Sequence, residues 1–254
     1  MLLAIDIGNT NISFGLYEGQ NLGPRWRIRT IHDKTPDEYG ILLDQLFGHR
    51  GYRPEQVTGV AIASVVPPLT PVFERACRDY AGQTPLVVDA GVRTGVRILY
   101  DNPREVGADR VVNAAAVRAL YSVPACVVDF GTATTFDAVS AEGDYLGGAI
   151  APGIGIAAQA LFERTAKLPR VELTRPPSVI GRNTPHAIQS GLLLGYVGLV
   201  EGMVARFKAE LGPQTRIIAT GGLARVVAGE TDVIDVVDEW LALHGLRIIY
   251  ELNR

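Results

Sequence analysis

The chain has 254 residues, 47% of them hydrophobic and 20% charged, which excludes a disordered chain and supplies enough apolar material for two cores of ordinary size. Its formal net charge of -3, with no long basic run, gives no global attraction to nucleic acid or to an anionic membrane, so any anionic ligand must be held locally. Cys77 and Cys126 are too few for a disulfide framework, and His32, His49, His186 and His244 are scattered without metal-ligand spacing.

The first apolar stretch, Met1 to Ile5, is cut short by Asp6 and lacks a basic leader, so it reads as neither a signal peptide nor a membrane span, and a cytoplasmic location is expected. "LLAIDIG", "ISFGLYEG" and "RWRIRT" read as three strands of an antiparallel meander, with "NTN" and "GQNLGP" as its turns. Residues 35–49 open with Thr35 as N-cap and Pro36 at the first helical position, and Tyr39, Leu42, Leu43, Leu46 and Phe47 follow at helical spacing. A buried strand "VTGVAIASVVP", a helix "PPLTPVFERACRDYAG", a strand "PLVVDA" and a helix "GADRVVNAAAVRALYS" complete the first half.

The second half restarts the same order with "ACVVDFG", "TTFDAVSAEG" and "DYLGGAIAPG", then helices, then the strand "TRIIATGG". An offset of 123 residues sets Asp6 on Asp129, Gly8 on Gly131, Asn9 on Thr132 and Asn11 on Thr134. This reads as a structural duplication, an α/β protein of two domains, residues 1–117 and 118–254, each a mixed sheet with flanking helices. In both copies a Gly after a buried strand permits a sharp turn, and the polar residues beyond it offer donors that converge on an anion. The Asp at each strand end supplies a hard oxygen suited to a cation or its waters. Two such loops suit a nucleotide polyphosphate with its counter-ions.

Phosphoryl transfer to an alcohol also needs an acceptor for the hydroxyl proton and positive charge around the transferring group. "GADR" offers both at a helix start: Gly107 and Ala108 leave room, the helix dipole keeps Asp109 ionised, and Arg110 pairs with an anionic oxygen. Helix capping alone is the ordinary role for such an Asp.

"IDIGNTN", "VDFGTATT" and "IATGGLA" resemble the two phosphate motifs and the adenosine motif of the actin, Hsp70 and sugar kinase superfamily. Within it, "DNPREVGADRVVNA", "GGAIAPG", "LFERTAKLP" and "IGRNTPHAIQSG" resemble type III pantothenate kinase over nearly the whole chain. The resemblance implies a duplicated actin-like (ribonuclease H-like) fold and ATP-dependent phosphorylation of pantothenate. It implies that Asp6, Ile7, Gly8, Asn9, Thr10, Asn11, Ile12 and Ser13 wrap the ATP phosphates, with Thr132 also on ATP. Asp6 would organise the waters of magnesium (Mg2+), and Asp129 would hold potassium (K+) or ammonium (NH4+). Tyr100, Gly107, Ala108, Asp109, Arg110 and Thr184 would line the pantothenate site, with Asp109 catalytic, and the assembly would be a homodimer. The rival readings are a kinase or phosphatase of another small alcohol, and a non-catalytic regulator like the Bvg accessory factors. "GADR" with "GRNT" speaks against the first, and the presence of Asp109 against the second.

Other signals carry less. Gly153-x-Gly155-x-x-Ala157 imitates a dinucleotide fingerprint but follows a meander strand rather than opening a βαβ unit. No Gly-Lys-Ser/Thr occurs, so an ATP site here is not a P-loop, and Ser64 and Ser190 lack a nucleophile-elbow context. Residues 187–208 are apolar on two faces, with Gly191, Gly195, Gly198 and Gly202 spaced for close helix approach. Gln189, Glu201 and Arg206 argue against a membrane span, leaving a helix central to its own domain or one packed on another subunit.

Overall fold

The computed structural model describes residues 1–254. In chain order its elements are β1 (Leu2–Ile7), β2 (Asn11–Glu18), β3 (Asn21–Arg29), α1 (Pro36–His49), β4 (Gly59–Ser64), α2 (Thr70–Ala81), β5 (Leu86–Val87), α3 (Ala108–Leu120), β6 (Ala125–Phe130), β7 (Ala133–Val139), β8 (Tyr145–Pro152), α4 (Ile154–Glu163), α5 (Thr184–Gln189), α6 (Gly195–Leu211), β9 (Arg216–Gly221), α7 (Ala224–Ala228), β10 (Val236–Val237) and α8 (Leu241–Leu252). They form two compact units, Met1–Tyr121 with Leu241–Arg254, and Ser122–Trp240.

In the first unit the strand order is β3-β2-β1-β4-β5, antiparallel from β1 through β3 and parallel from β1 through β5. Alternation along the strands sends Leu3, Ile5, Ile7, Phe14 and Ile62 to one face, where Tyr39, Leu43 and Phe47 of α1 and Phe73 of α2 close the core. α1 begins with the expected cap: Thr35 Oγ1 accepts from Glu38 N at 3.3 Å, and Glu38 Oε2 accepts from Thr35 N at 2.8 Å. The β2–β3 turn is tighter than the sequence suggests. Glu18 pairs with Asn21 around Gly19 and Gln20, Gly19 has φ 59°, and β3 runs through Pro24 because an edge strand tolerates a missing donor.

The opposite face of this sheet is lined with small residues, Ala4, Gly15, Gly59 and Ala61, and α3 and α8 lie against it. Here the structure corrects the domain boundary expected after residue 117. The C-terminal helix α8 returns to the first unit because Leu241, Leu243, Leu246 and Ile249 are buried there and no bulk separates its backbone from its neighbours. A Cβ at Gly245 would collide with the Val112 carbonyl of α3, and one at Gly59 would collide with the Tyr250 ring of α8.

The second unit repeats the plan with order β8-β7-β6-β9-β10, again antiparallel on one side of its first strand and parallel on the other. Cys126, Val128, Phe130 and Phe136 face a core completed by Ile154 at the start of α4 and by Leu193, Tyr196, Val197, Val200 and Val204. The continuous helical stretch Thr184–Leu211 is long and apolar enough, by length and composition, to cross a membrane. In this structure its buried stripe is the lid of the second core. A π-helical turn at Ser190–Leu194 joins α5 to α6, and such turns concentrate at functional sites.

Substituting Gly245→Ala forces α8 off α3. The expected result is a loss of about 1–3 kcal/mol, the usual cost of overpacking, seen as a lower urea midpoint with an unchanged slope.

Candidate active site

At the end of β1 the chain turns through Gly8, Asn9 and Thr10 into β2. Gly8 N donates to the Asn11 carbonyl at 3.0 Å, and a Cβ at Gly8 would fall 2.9 Å from that same oxygen, so the turn has room only for Gly. Thr30, just past β3, holds the turn from the other side: its Oγ1 donates to the Gly8 carbonyl at 2.6 Å and its N–H to the Thr10 carbonyl at 3.0 Å. Sequence reading passes over Thr30, although it closes the "RWRIRT" strand one register step beyond the Asn11–Arg29 pair. Ile7 and Ile12 are fully buried and anchor the loop, while Asn9, Thr10 and Asn11 are exposed and Asp6 and Ser13 partly so. The arrangement is a fixed backbone turn carrying polar groups, which is what a polyphosphate requires.

Asp109 stands in the first turn of α3, with Gly107 as N-cap. Its Oδ1 accepts from Arg110 N at 2.8 Å, so the carboxylate folds back over the helix start, where the dipole favours its charge. A Cβ at Gly107 would lie 2.5 Å from Asp109 Oδ1 and 3.3 Å from Val65 Cγ1. Gly107 is therefore the vacancy into which the carboxylate fits. Val65 in turn donates its N–H to the Ile7 carbonyl at 3.0 Å, which sets the α3 start beside the end of β1 within one unit. Arg110 is 8% exposed and Ala108 is half-buried, whereas Tyr100 on the preceding loop is 37% exposed.

The second unit builds the corresponding end of β6. Asp129 pairs in register with Thr135 of β7 and Thr220 of β9, so two hydroxyl side chains flank its carboxylate on one face. Thr135 Oγ1 donates to Asp137 Oδ2 at 2.7 Å, and Tyr145 donates its hydroxyl to Asp137 Oδ1 at 2.9 Å, which satisfies that buried carboxylate. Gly221 has φ 90°, and a Cβ there would lie 2.5 Å from Asp129 Oδ1, so only Gly suits both the backbone and the carboxylate. Asp129 and the two threonine hydroxyls, one of them bonded to the Asp137 carboxylate, are hard oxygens of the kind that suits a hard cation. No three His, Cys, Asp or Glu side chains converge on one point.

Thr132 is exposed on the turn after β6, and Gly153 N donates to its carbonyl at 3.2 Å. A Cβ at Gly153 would collide with the Thr132 carbonyl and lie 2.8 Å from that of Gly131. The Gly153-x-Gly155 pattern thus reflects a close backbone crossing under the second loop. Tyr196 of α6 meets the same loop: its Oη contacts Thr134 Oγ1 and lies 2.9 Å from the Pro152 carbonyl. A phenol has one proton and a carbonyl only accepts, so Tyr196 donates to Pro152 and accepts from Thr134. Burial pushes the Tyr196 hydroxyl above its usual pKa, opposed by the Thr134 contact. Sequence reading does not single out Tyr196, since one Tyr on an apolar helix looks like core. Thr184 opens α5 in this second unit and borders a groove of about 660 Å³ lined also by Leu161, Arg182, Asn183, Ile188 and Leu192.

The sequence description of type III pantothenate kinases matches residues 2–206. The chain belongs to the type III pantothenate kinase family. A protein of that name from Myxococcus xanthus (strain DK1622) is 56% identical to it over 253 residues, covering 100% of this chain and 99% of that protein. Among solved structures, a Campylobacter jejuni protein described as a Baf family transcriptional activator aligns with TM-score 0.64 at 19% identity, covering 99% of this chain and 98% of that one. The inorganic polyphosphate/ATP-glucomannokinase of an Arthrobacter species aligns with TM-score 0.53 at 16% identity, covering 100% and 99%. At these identities the likeness shows the fold alone, the duplicated two-domain α/β fold of actin-like sugar kinases that the two repeated loops imply.

In this type III pantothenate kinase both thiols are structural. Burial pushes Cys77 up to about 12 and Cys126 higher still, so neither forms a thiolate near neutral pH. The native protein is expected to resist a thiol-reactive dye at pH 8 and to release two equivalents in denaturant, read by absorbance.

Proposed function

We propose that this member of the family transfers the terminal phosphoryl group of ATP to the primary hydroxyl of pantothenate, forming 4'-phosphopantothenate at the first step of coenzyme A biosynthesis. Family membership over the full chain supports the reaction. The observation that carries the residue assignment is the Asp109 carboxylate seated over the bare Gly107 at the start of α3, beside the turn after β1. Asp109 accepts or orients the hydroxyl proton as the alcohol oxygen bonds to phosphorus and ADP leaves. Arg110 supplies positive charge for an anionic oxygen, and Tyr100, Gly107, Ala108 and Thr184 complete the pantothenate contacts.

Residues Asp6 to Ser13 and Thr132 hold ATP, largely through backbone N–H groups, which is why the apolar Ile7 and Ile12 belong to the loop. Magnesium, when bound, neutralises phosphate charge, and Asp6 would hold it through water. Asp129 would hold potassium or ammonium, flanked by the Thr135 and Thr220 hydroxyls. The protein acts in the cytoplasm.

We also assign a homodimer to this enzyme. The second unit exposes Ile150 at 66%, Val179 at 68% and Ile180 at 76%, with Ile156, Phe162 and Leu199 also open, and a second copy is the covering partner expected of such apolar surface.

Two outcomes test this reading. ADP release is expected to depend on pantothenate and on potassium or ammonium, and Asp109→Asn should lower kcat about 10²- to 10⁴-fold, the usual worth of a positioned acid–base group; turnover without pantothenate dependence overturns it. Light scattering on the eluting protein is expected to give twice the chain mass, and Ile180→Glu should shift it toward the monomer.

A further inference from the structure

The sheet of the first unit places Arg27, which neither the sequence motifs nor the proposed mechanism uses, in line with the candidate phosphate loop. β1, β2 and β3 pair so that Asp6 lies opposite Ser13 and Ser13 opposite Arg27. Residues in register on adjacent strands share a face, so Asp6, Ser13 and Arg27 form one row across three strands at the end where β1 turns. The orientation of Arg27 is set from below. Its neighbour Trp26 stacks on Phe14 with ring centroids 5.5 Å apart and packs on Phe47 at 5.4 Å, and Trp26 and Ile28 lie against the core. Pleating then directs Arg27 to the opposite face, the one that carries Asp6.

Arg27 Nε donates to Ser13 Oγ at 3.2 Å. Two chemical consequences follow. A guanidinium is a planar fork of five N–H donors, so holding Nε on Ser13 sets the plane of the whole group, and that fork matches the oxygens of a phosphate. Ser13 Oγ, used as an acceptor by Arg27, keeps its own hydroxyl proton to donate. The pair brings N–H and O–H donors next to a carboxylate read as a magnesium-water ligand.

We propose that Arg27 is a phosphate-binding residue of the ATP site, contributing positive charge through the row Asp6–Ser13–Arg27. This rests on the reading of residues 6–13 as the ATP loop. The competing account is that Arg25, Arg27 and Arg29, all exposed on one face of the edge strand β3, only keep that edge from pairing with another sheet. Arg25 separates the two accounts, because it shares the face and the strand with Arg27 but lies in register with Gly15, away from the loop.

The test is direct titration of the purified protein with ATP and, separately, with adenosine, for wild type, Arg27→Gln, Arg27→Lys and Arg25→Gln, alongside steady-state KM values. Arg27→Gln should weaken ATP binding and raise the KM for ATP about 10- to 100-fold, the range of a charge-assisted hydrogen bond. Adenosine binding and the KM for pantothenate should stay within about twofold by the same reasoning. Arg27→Lys should fall between, retaining the charge but not the fork, and Arg25→Gln should match wild type. Equal weakening of ATP and adenosine, or equal effects of Arg25→Gln and Arg27→Gln, overturns the proposal and leaves a structural role. Wild type that turns over pantothenate normally, with Arg27→Gln indistinguishable from it, removes Arg27 alone. Wild type that binds no ATP removes the loop reading and this proposal together.

Discussion

Each sheet of this protein reverses its pairing sense at one strand. β1 and β6 each have an antiparallel partner on one side and a parallel partner on the other, and the rest of the candidate site depends on that constraint. The antiparallel partner must be reached by a tight turn at the strand's C-terminal end, while the parallel one is reached by a long crossover that leaves the same end open on its other side. The turn therefore stands beside an open strand end, with Asp6 and Asp129 each one residue before the end of its strand, and ligands in open α/β sheets gather at such reversals of strand order.

Glycine makes the geometry possible by absence of a side chain rather than by flexibility. Gly107 leaves the space that the Asp109 carboxylate fills, and Gly221 leaves space for that of Asp129. Gly153 lets one chain segment cross directly under the loop that carries Thr132, and Gly245 lets α8 meet the backbone of α3. In each case a Cβ would displace a carboxylate oxygen or a neighbouring backbone. Rigidity then comes from hydrogen bonds that reach the loops from outside them, Thr30 onto the Gly8–Thr10 turn and Tyr196 onto Thr134 and Pro152. A site that stabilises charge with fixed dipoles needs this, since donors that reorganise during reaction lose much of their electrostatic value.

The two copies have diverged in what surrounds a shared skeleton. In the first, the row from Asp6 runs through Ser13 to the cationic Arg27, which suits an anion's oxygens. In the second, the row from Asp129 runs through Thr135, itself bonded to the Asp137 carboxylate, to Ile150, and Thr220 flanks it on the parallel side, so hydroxyl and carboxylate oxygens lie together, which suits a cation. The same backbone thus offers opposite electrostatics at the two strand ends, decided by one or two side chains on neighbouring strands.

Much of this was legible in the chain itself. The apolar strands ending in Asp-x-Gly, the Thr35 cap, the meander order and the duplication at an offset of 123 residues are local or periodic signals, and local sequence determines them. β3 starts earlier than its propensities suggest because an edge strand accepts Pro24, which a propensity reading treats as a breaker. The return of α8 to the first unit could not be read, since nothing in "LALHGLRIIYEL" names its partner; shape complementarity between Gly245 and the α3 backbone decides it. Thr30, Tyr196 and Arg27 likewise look ordinary in one dimension. Their roles follow from register, and register is a property of paired strands and packed helices, which only the tertiary structure specifies.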